Sequence, residues 1–339
     1  MPKPSHSPNR VPPVVLMGML IGLLVIVCLA RMLAGGSVLG WPETSEFFEL
    51  RASRVMSGLV VGASLGLAGV LLQTLVRNPL ASPDLLGLSA GAGLATMLAA
   101  WIAWQTGTAL VTQSVRTGPA FVGAIAALAI VYSLGQKRGV VEPISLILVG
   151  VIVGVMCAGA SMAISSILPP EPAGIASRVL FGSLGDDVSW TTIAVLAAIA
   201  LASLIAGISV AHQLDAMSMG EDEARSVGVS IGSLRLVMFV VAGALTAGTV
   251  AIAGTIGFVG LVGPHIVRMV FGPSHRVLIP ASAIAGAIIV VGADAGVSTL
   301  KVIYPSVGSV PIGVVTALFG GPVFLVLLRT SRVRAWDHH

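Results

Sequence analysis

Charge is what this sequence lacks most. Asp, Glu, Lys and Arg make up 9% of 339 residues, while 56% of the chain is hydrophobic. A soluble domain carries about 25% charged residues, so too little polar surface exists to cover a globule of this length in water. Cysteine is scarce as well: Cys28 and Cys157 both fall inside apolar runs, which implies no disulfide and two small buried hydrophobes. No G-x-x-x-x-G-K-[ST] occurs, nor any Gly-Lys pair, so the chain carries no phosphate-cradling loop of its own. H-E-x-x-H is missing too, and no catalytic constellation emerges. The net charge of +4 is modest and reflects basic ends, not a nucleic-acid surface.

What the chain has in abundance is long apolar runs, and the mean hydropathy is +1.01. A membrane helix needs roughly 20 apolar residues. Runs of that length recur near Val14–Ala34, Val55–Val76, Leu85–Trp104, Gly118–Leu134, Pro143–Leu168, Thr191–Ala211, Leu234–Gly254, Thr255–Phe271, Val277–Val297 and Val310–Leu328. The expected fold is therefore an all-α polytopic membrane protein of about ten transmembrane helices. Residues 14–329 read as one membrane domain, residues 1–13 as a disordered proline-rich N-terminus and residues 330–339 as a tail. Ten spans place both termini on one side. Lys3, Arg10, Arg77, Lys137, Arg138, Arg225, Arg235, Arg268, Arg276, Arg329, Arg332 and Arg334 then share that side, against Arg31, Arg51, Arg54, Arg116, Arg178 and Lys301 on the other. An excess of Lys and Arg marks the cytoplasmic face, so both termini are expected there.

Several spans carry small residues at four-residue spacing: Gly58, Gly62 and Gly66; Gly150 and Gly154; Gly313, Ala317 and Gly321. Such stripes allow close approach of helices in lipid. Spans two to five and seven to ten read as an inverted pair of repeats, because each half opens with a Gly/Ala-rich helix followed by a proline break, at Pro79 and at Pro264. The first break, Arg77–Gly93, contains Asn78-Pro79 and Ser82-Pro83 and cannot be one regular helix. Broken backbone at membrane depth is tolerated only under cover of protein or a wet cavity.

Polar segments are few. The stretch 212–235 holds Glu221-Asp222-Glu223-Ala224-Arg225 and Gly228. Acids first and Arg225 later suit a helix macrodipole, Gly228 suits a helix end, and Ser230 suits the cap of a second short helix. On charge pattern alone this is a solvated connector; its apparent order makes it also a docking surface. On the other side, Pro169–Trp190 predicts a turn or two of helix over Ser177–Phe181, closed by Gly182. Arg51 and Arg54 offer planar forks for lipid phosphates or for acids of a partner. Asp84 in the broken joint and Asp294 near the end of the ninth span are the membrane-depth acids, and Asp294 reads as solvent-accessible or as a helix cap. His265, beside Pro264, has no ligand-spaced companions and reads as a hydrogen-bonded structural residue.

These segments together resemble the membrane subunit of iron-siderophore and vitamin B12 ABC importers, the FecCD-type permeases. The matching motifs are Arg51-Ala-Ser-Arg54, Gly62-x-x-x-Gly66 with Gln73, Asn78-Pro79-Leu-Ala-Ser-Pro83-Asp84-Leu-Leu-Gly87, the Gly220–Leu236 loop, Gly254–Arg268 with Pro264-His265, and Pro311–Ala317 with Gly321-Pro322. The resemblance implies a permease that dimerises, with an identical copy or a paralogue, and that sits on cytosolic ATP-binding subunits and is fed by a periplasmic or extracellular substrate-binding protein. It further implies a bacterial inner-membrane location, no cofactor in this chain and ATP on the partner. Glu221, Asp222, Ala224, Arg225 and Gly228 correspond to the ATPase-coupling helices. Arg51 and Arg54, with Lys301, correspond to binding-protein contacts, although Ser298 stands near the position where the family often has a third basic residue. Gly182, Ser183 and Leu184 correspond to a gating element, and the fifth span, with Gly150 and Gly154, lines the path with the tenth. The implied cargo is an iron(III)-siderophore-type chelate, with haem or cobalamin as alternatives. An ion-coupled secondary transporter is the competing class, and it would have to rely on Asp84 and Asp294.

Overall fold

A computed structural model describes residues 12–35, 39–107, 113–137, 140–185, 188–306 and 310–336. The expected disorder of the N-terminus falls mainly outside these residues. Each of the ten expected spans coincides with a helix: α1 (Pro13–Leu33), α2 (Ser45–Val76), α3 (Leu88–Thr106), α4 (Gln113–Gly135), α5 (Pro143–Ile167), α7 (Trp190–Ser209), α10 (Ile231–Ala253), α11 (Val259–Phe271), α12 (His275–Ile303) and α13 (Ile312–Trp336). Three shorter helices lie between them: α6 (Pro170–Phe181), α8 (Ala211–Met219) and α9 (Glu221–Ser226). Seven of the helices are long and apolar enough to cross a membrane, and α11 and the apolar part of α13 are shorter. A two-residue antiparallel pair, Gln136–Lys137 with Val140–Val141, joins α4 to α5.

The bundle is built around α2. Thr44 caps its start, its side chain accepting from the Phe47 N–H, and Arg77 ends it in the left-handed region at φ 53°. At 1.5 Å per residue its 32 residues run about 48 Å. Of its most apolar stretch 83% is buried within the chain, against 17% for α5 and 0% for α1. The glycine stripe explains this. A Cβ on Gly62 would lie 2.6 Å from the Ala287 Cα of α12, and one on Gly66 would lie 2.8 Å from the Ser282 carbonyl carbon. Only hydrogen fits there, so the two backbones pack directly against each other.

The first proline break forms a 3-10 turn over Pro83–Leu86, followed by Gly87 at φ 70° and then α3. Asn78 Oδ1 accepts from Leu80 N–H at 2.9 Å and Ser82 Oγ accepts from Asp84 N–H at 3.5 Å, so the freed backbone is partly satisfied locally. The second break comes earlier than expected: α10 ends at Ala253, residues 254–258 are irregular, and α11 then carries Pro264 inside it. The two breaks meet. Asp84 accepts a hydrogen bond from the Phe258 backbone, and a Cβ on Gly260 would lie 2.7 Å from Pro83 Cδ. Each irregular segment therefore covers the other, as broken backbone at this depth requires.

Candidate functional site: two ends of one helix

At the Arg77 end of α2, the segment expected to hold one helix followed by a second holds a different pair. α8 precedes α9, Gly228 stands at φ 81°, and Ser230 makes no side-chain cap; α10 simply begins at Ile231. The second short helix thus lies before the acidic run, because Leu214 and Met217 give α8 an apolar face that is fully buried. In α9, Ala224 is buried while Asp222 and Arg225 are exposed, so one face holds to the bundle and the other is free. Glu221 sits at the centre of three arginines. Arg235 Nη2 donates to its Oε1 at 2.6 Å, Arg77 Nη2 lies 3.4 Å from the same oxygen, and Arg225 Nη2 lies 3.4 Å from Oε2. The Arg235 hydrogen bond, reinforced by the charges of Arg235, Arg77 and Arg225, holds the Glu221 carboxyl below the usual carboxylate range. Glu221 thereby links α9 to the ends of both α2 and α10.

At the opposite end, Asp294 is neither solvent-accessible nor a cap. It is 1% exposed and lies between two guanidinium groups. Arg31 of α1 pairs with its Oδ2, and Arg54 of α2 donates from Nη2 to Oδ1 at 2.8 Å and from Nε to Oδ2 at 3.0 Å. A bare carboxylate buried here would be costly, and two planar donors offset that cost. Arg51 also turns inward, donating to the carbonyls of Met32 at 2.7 Å and Gly40 at 2.6 Å. Both arginines expected at the rim thus help to fasten α1 and α12 to α2. Lys301 stays exposed near the end of α12.

Gly182, Ser183 and Leu184 follow α6, which is a full 12 residues long instead of one or two turns. Gly182 has φ 68°, and a Cβ there would lie 2.8 Å from the Thr255 carbonyl carbon, so the position takes glycine for both reasons. Three backbone hydrogen bonds bind the strap: Ser183 N–H to Ala253 O at 2.7 Å, Thr255 N–H to Val179 O at 2.9 Å, and Gly313 N–H to Gly182 O at 3.2 Å. It therefore joins α6 to the end of α10 and the start of α13. A cavity of about 620 Å³ opens beside it, lined by Arg54, Arg178, Ser183, Leu184, Gly254 and Ile312.

Gly150 and Gly154 take a different place from the path-lining one expected. A Cβ on Gly150 would lie 2.9 Å from Leu86 Cα and one on Gly154 would lie 3.5 Å from Gly87 Cα, so both face the broken joint. The open face of α5 is made instead of Ile144, Leu148, Val155, Met156 and Met162. His265 is also not hydrogen-bonded among the described residues: both ring nitrogens lack a partner, and the ring meets Phe324 edge-on at 5.7 Å. Sequence reading did not pick out Arg235 or Arg77 as partners of Glu221, nor Arg31 as a partner of Asp294. The only hint was that these are among the few charges in an oily chain.

The FecCD transport family matches residues 19–330. The chain is 33% identical over 334 residues to the hemin transport system permease protein HmuU of Yersinia pestis, which covers 96% of this chain and 98% of that one. It is 35% identical to the cobalamin import system permease protein BtuC of Halobacterium salinarum, over 87% of this chain and 77% of that one. It is 36% identical to the Fe(3+)-citrate import system permease protein YfmE of Bacillus subtilis, over 86% and 85%. A solved metal-chelate type ABC transporter in an inward-facing conformation superposes with a TM-score of 0.80 at 28% identity, covering 94% of this chain and 99% of that one. This helical bundle thus shares its fold with an ABC transporter. This chain belongs to the FecCD transport family.

Proposed function

We propose that this chain is the permease of a binding-protein-dependent importer of iron(III)-siderophore-type chelates in a bacterial inner membrane. Its termini lie in the cytoplasm. Cytosolic ATP-binding subunits dock on α9, a substrate-binding protein delivers cargo at the Arg51, Arg54 and Lys301 end, and a second permease copy completes the path. The chain itself holds no cofactor, and ATP is bound and hydrolysed on its partner. The observation that carries this reading is the knuckle: a six-residue helix whose buried Ala224 and half-buried Glu221 face the bundle while Asp222 and Arg225 are offered outward. A stroke applied there reaches α2 and α10 through Glu221.

The relatives divide by name between Fe(3+)-citrate, hemin and cobalamin permeases, so haem or cobalamin cargo is the second reading. Purification in mild detergent tests the partner: a copurifying ATP-binding subunit supports it. Uptake into proteoliposomes from a panel of ferric siderophores, ferric citrate, hemin and cobalamin tests the cargo. Arg225→Trp or Gly228→Trp should abolish ATP-driven uptake, and normal uptake in both variants would reject the docking assignment. Uptake that continues without ATP and collapses with an uncoupler would favour the ion-coupled class.

A further inference from the structure

A second connection runs from α8, beside the knuckle, to α2, and it passes through a fully buried imidazole. His275, the first residue of α12, is fully buried. Its Nδ1 lies 2.6 Å from Asp215 Oδ1 of α8, and its backbone N–H donates to the same oxygen at 2.8 Å. Ser274 Oγ donates to Asp215 Oδ2 at 3.4 Å. On the far side of the ring, Nε2 lies 2.7 Å from Thr74 Oγ1 of α2. Thr74 Oγ1 is also 2.9 Å from the Val70 carbonyl.

Proton accounting closes this chain. A carboxylate accepts, so Nδ1 carries a proton and donates to Asp215. Nε2 then either accepts the Thr74 hydroxyl proton or, with the ring fully protonated, donates to Thr74 while the hydroxyl turns to Val70 O. Each arrangement leaves every ring nitrogen paired. Moving α8 relative to α2 would leave a buried polar atom without a partner, an outcome that folded proteins avoid.

We propose that Asp215, His275 and Thr74 are positioning residues for energy coupling. They form a hydrogen-bonded clutch that locks α8 to α12 and to the buried shaft of α2, so that movement at the knuckle is delivered to the Arg54 end. The inference rests on the importer reading above. The exposed Glu221 ion pairs align α9, but water and salt compete for them. The imidazole and Thr74 are buried while the Asp215 carboxylate is 38% exposed, and the ring joins three helices at one point.

The test uses the whole transporter, permease with its ATP-binding subunit, in nanodiscs. Cys28 and Cys157 are replaced by serine, and a nitroxide is placed at exposed Phe47, near the start of α2, in both copies. The unaltered protein should copurify its ATPase and change the label-to-label distance on adding ATP with vanadate. Thr74→Val and Asp215→Ala should leave copurification and basal hydrolysis intact and reduce the population that shifts by at least about twofold. Thr74→Ser and Asp215→Asn, which keep the hydroxyl and an acceptor oxygen, should restore the shift. A full shift in Thr74→Val and Asp215→Ala overturns the clutch. So does joint loss of assembly, hydrolysis and shift in these two variants, which marks a packing role only. An unaltered protein with no copurifying ATPase and no distance change overturns the importer reading itself.

Discussion

α2 and α5 are both long, apolar and glycine-bearing, yet they meet opposite surroundings. α2 buries most of its apolar stretch against its own chain, and α5 leaves most of its stretch uncovered. The difference lies in what the glycines face. Gly62, Gly66 and Gly69 of α2 take the backbones of α12 and α11, making a seam of direct backbone contact. Gly150 and Gly154 of α5 take only the short proline joint, and its bulkier residues, including Val155 and Met156, look outward. α13 is similar, with Leu318, Phe319 and Leu325 exposed. An apolar groove of about 530 Å³, lined in part by Val262, Ile266, Phe319 and Val323, runs between α11, α12 and α13. One part of the molecule is closed on itself, and the other leaves apolar surface uncovered by this chain.

The strongest way to break this comparison is to attack the closed half at its charged pin. Asp294→Ala leaves the guanidinium groups of Arg31 and Arg54 without their carboxylate and should cost about 3–5 kcal/mol, read as a lower denaturation midpoint in detergent. Gly62→Leu forces a side chain into the seam between α2 and α12 and should cost about 1–3 kcal/mol or prevent folding. In the open half, Met156→Ala should change stability by less than about 0.5 kcal/mol. A cysteine placed there should react with a maleimide far faster than one placed at buried Ala68, and equal labelling would erase the distinction between the halves. At the knuckle, Arg225→Ala removes one exposed partner of Glu221 and should cost on the order of 0.5 kcal/mol, less at high salt.

The smallest effect is one of pH. Folding holds the Glu221 carboxyl below its ordinary range, so its stabilising contribution is complete above the unfolded-state value. That contribution fades as pH falls through the lowered folded-state value. Hydrogen exchange in α9 should therefore speed up under acid conditions at pH values below the usual carboxylate titration, and Glu221→Gln should remove that dependence.

The ten spans were legible because helix length and hydropathy are local properties. The proline joint at Asn78–Pro83 was legible for the same reason: a missing N–H and a restricted neighbour act on the chain where they stand. Reading the acidic run at 221–223 also found α9. It missed α8, whose cue was the buried face of Leu214 and Met217 and not charge. The neighbours of Gly150 and Gly154 were not legible, because spacing shows that a helix has a flat face but not which neighbour meets it. Asp294 was misread because its depth was judged along one span, whereas Arg31 and Arg54 reach it from two others.

The sequence by itself determined the solvent of this protein, the places of its long apolar helices and the family, since each depends on composition, run length or motif order. Tertiary structure alone decided which charges are paired, which glycines touch backbone, and that residues 60 and 201 positions from His275 converge on its ring. Pairing of that kind depends on which helices lie side by side, and in a bundle of similar apolar helices the adjacency is set by packing across the whole chain rather than by any one segment.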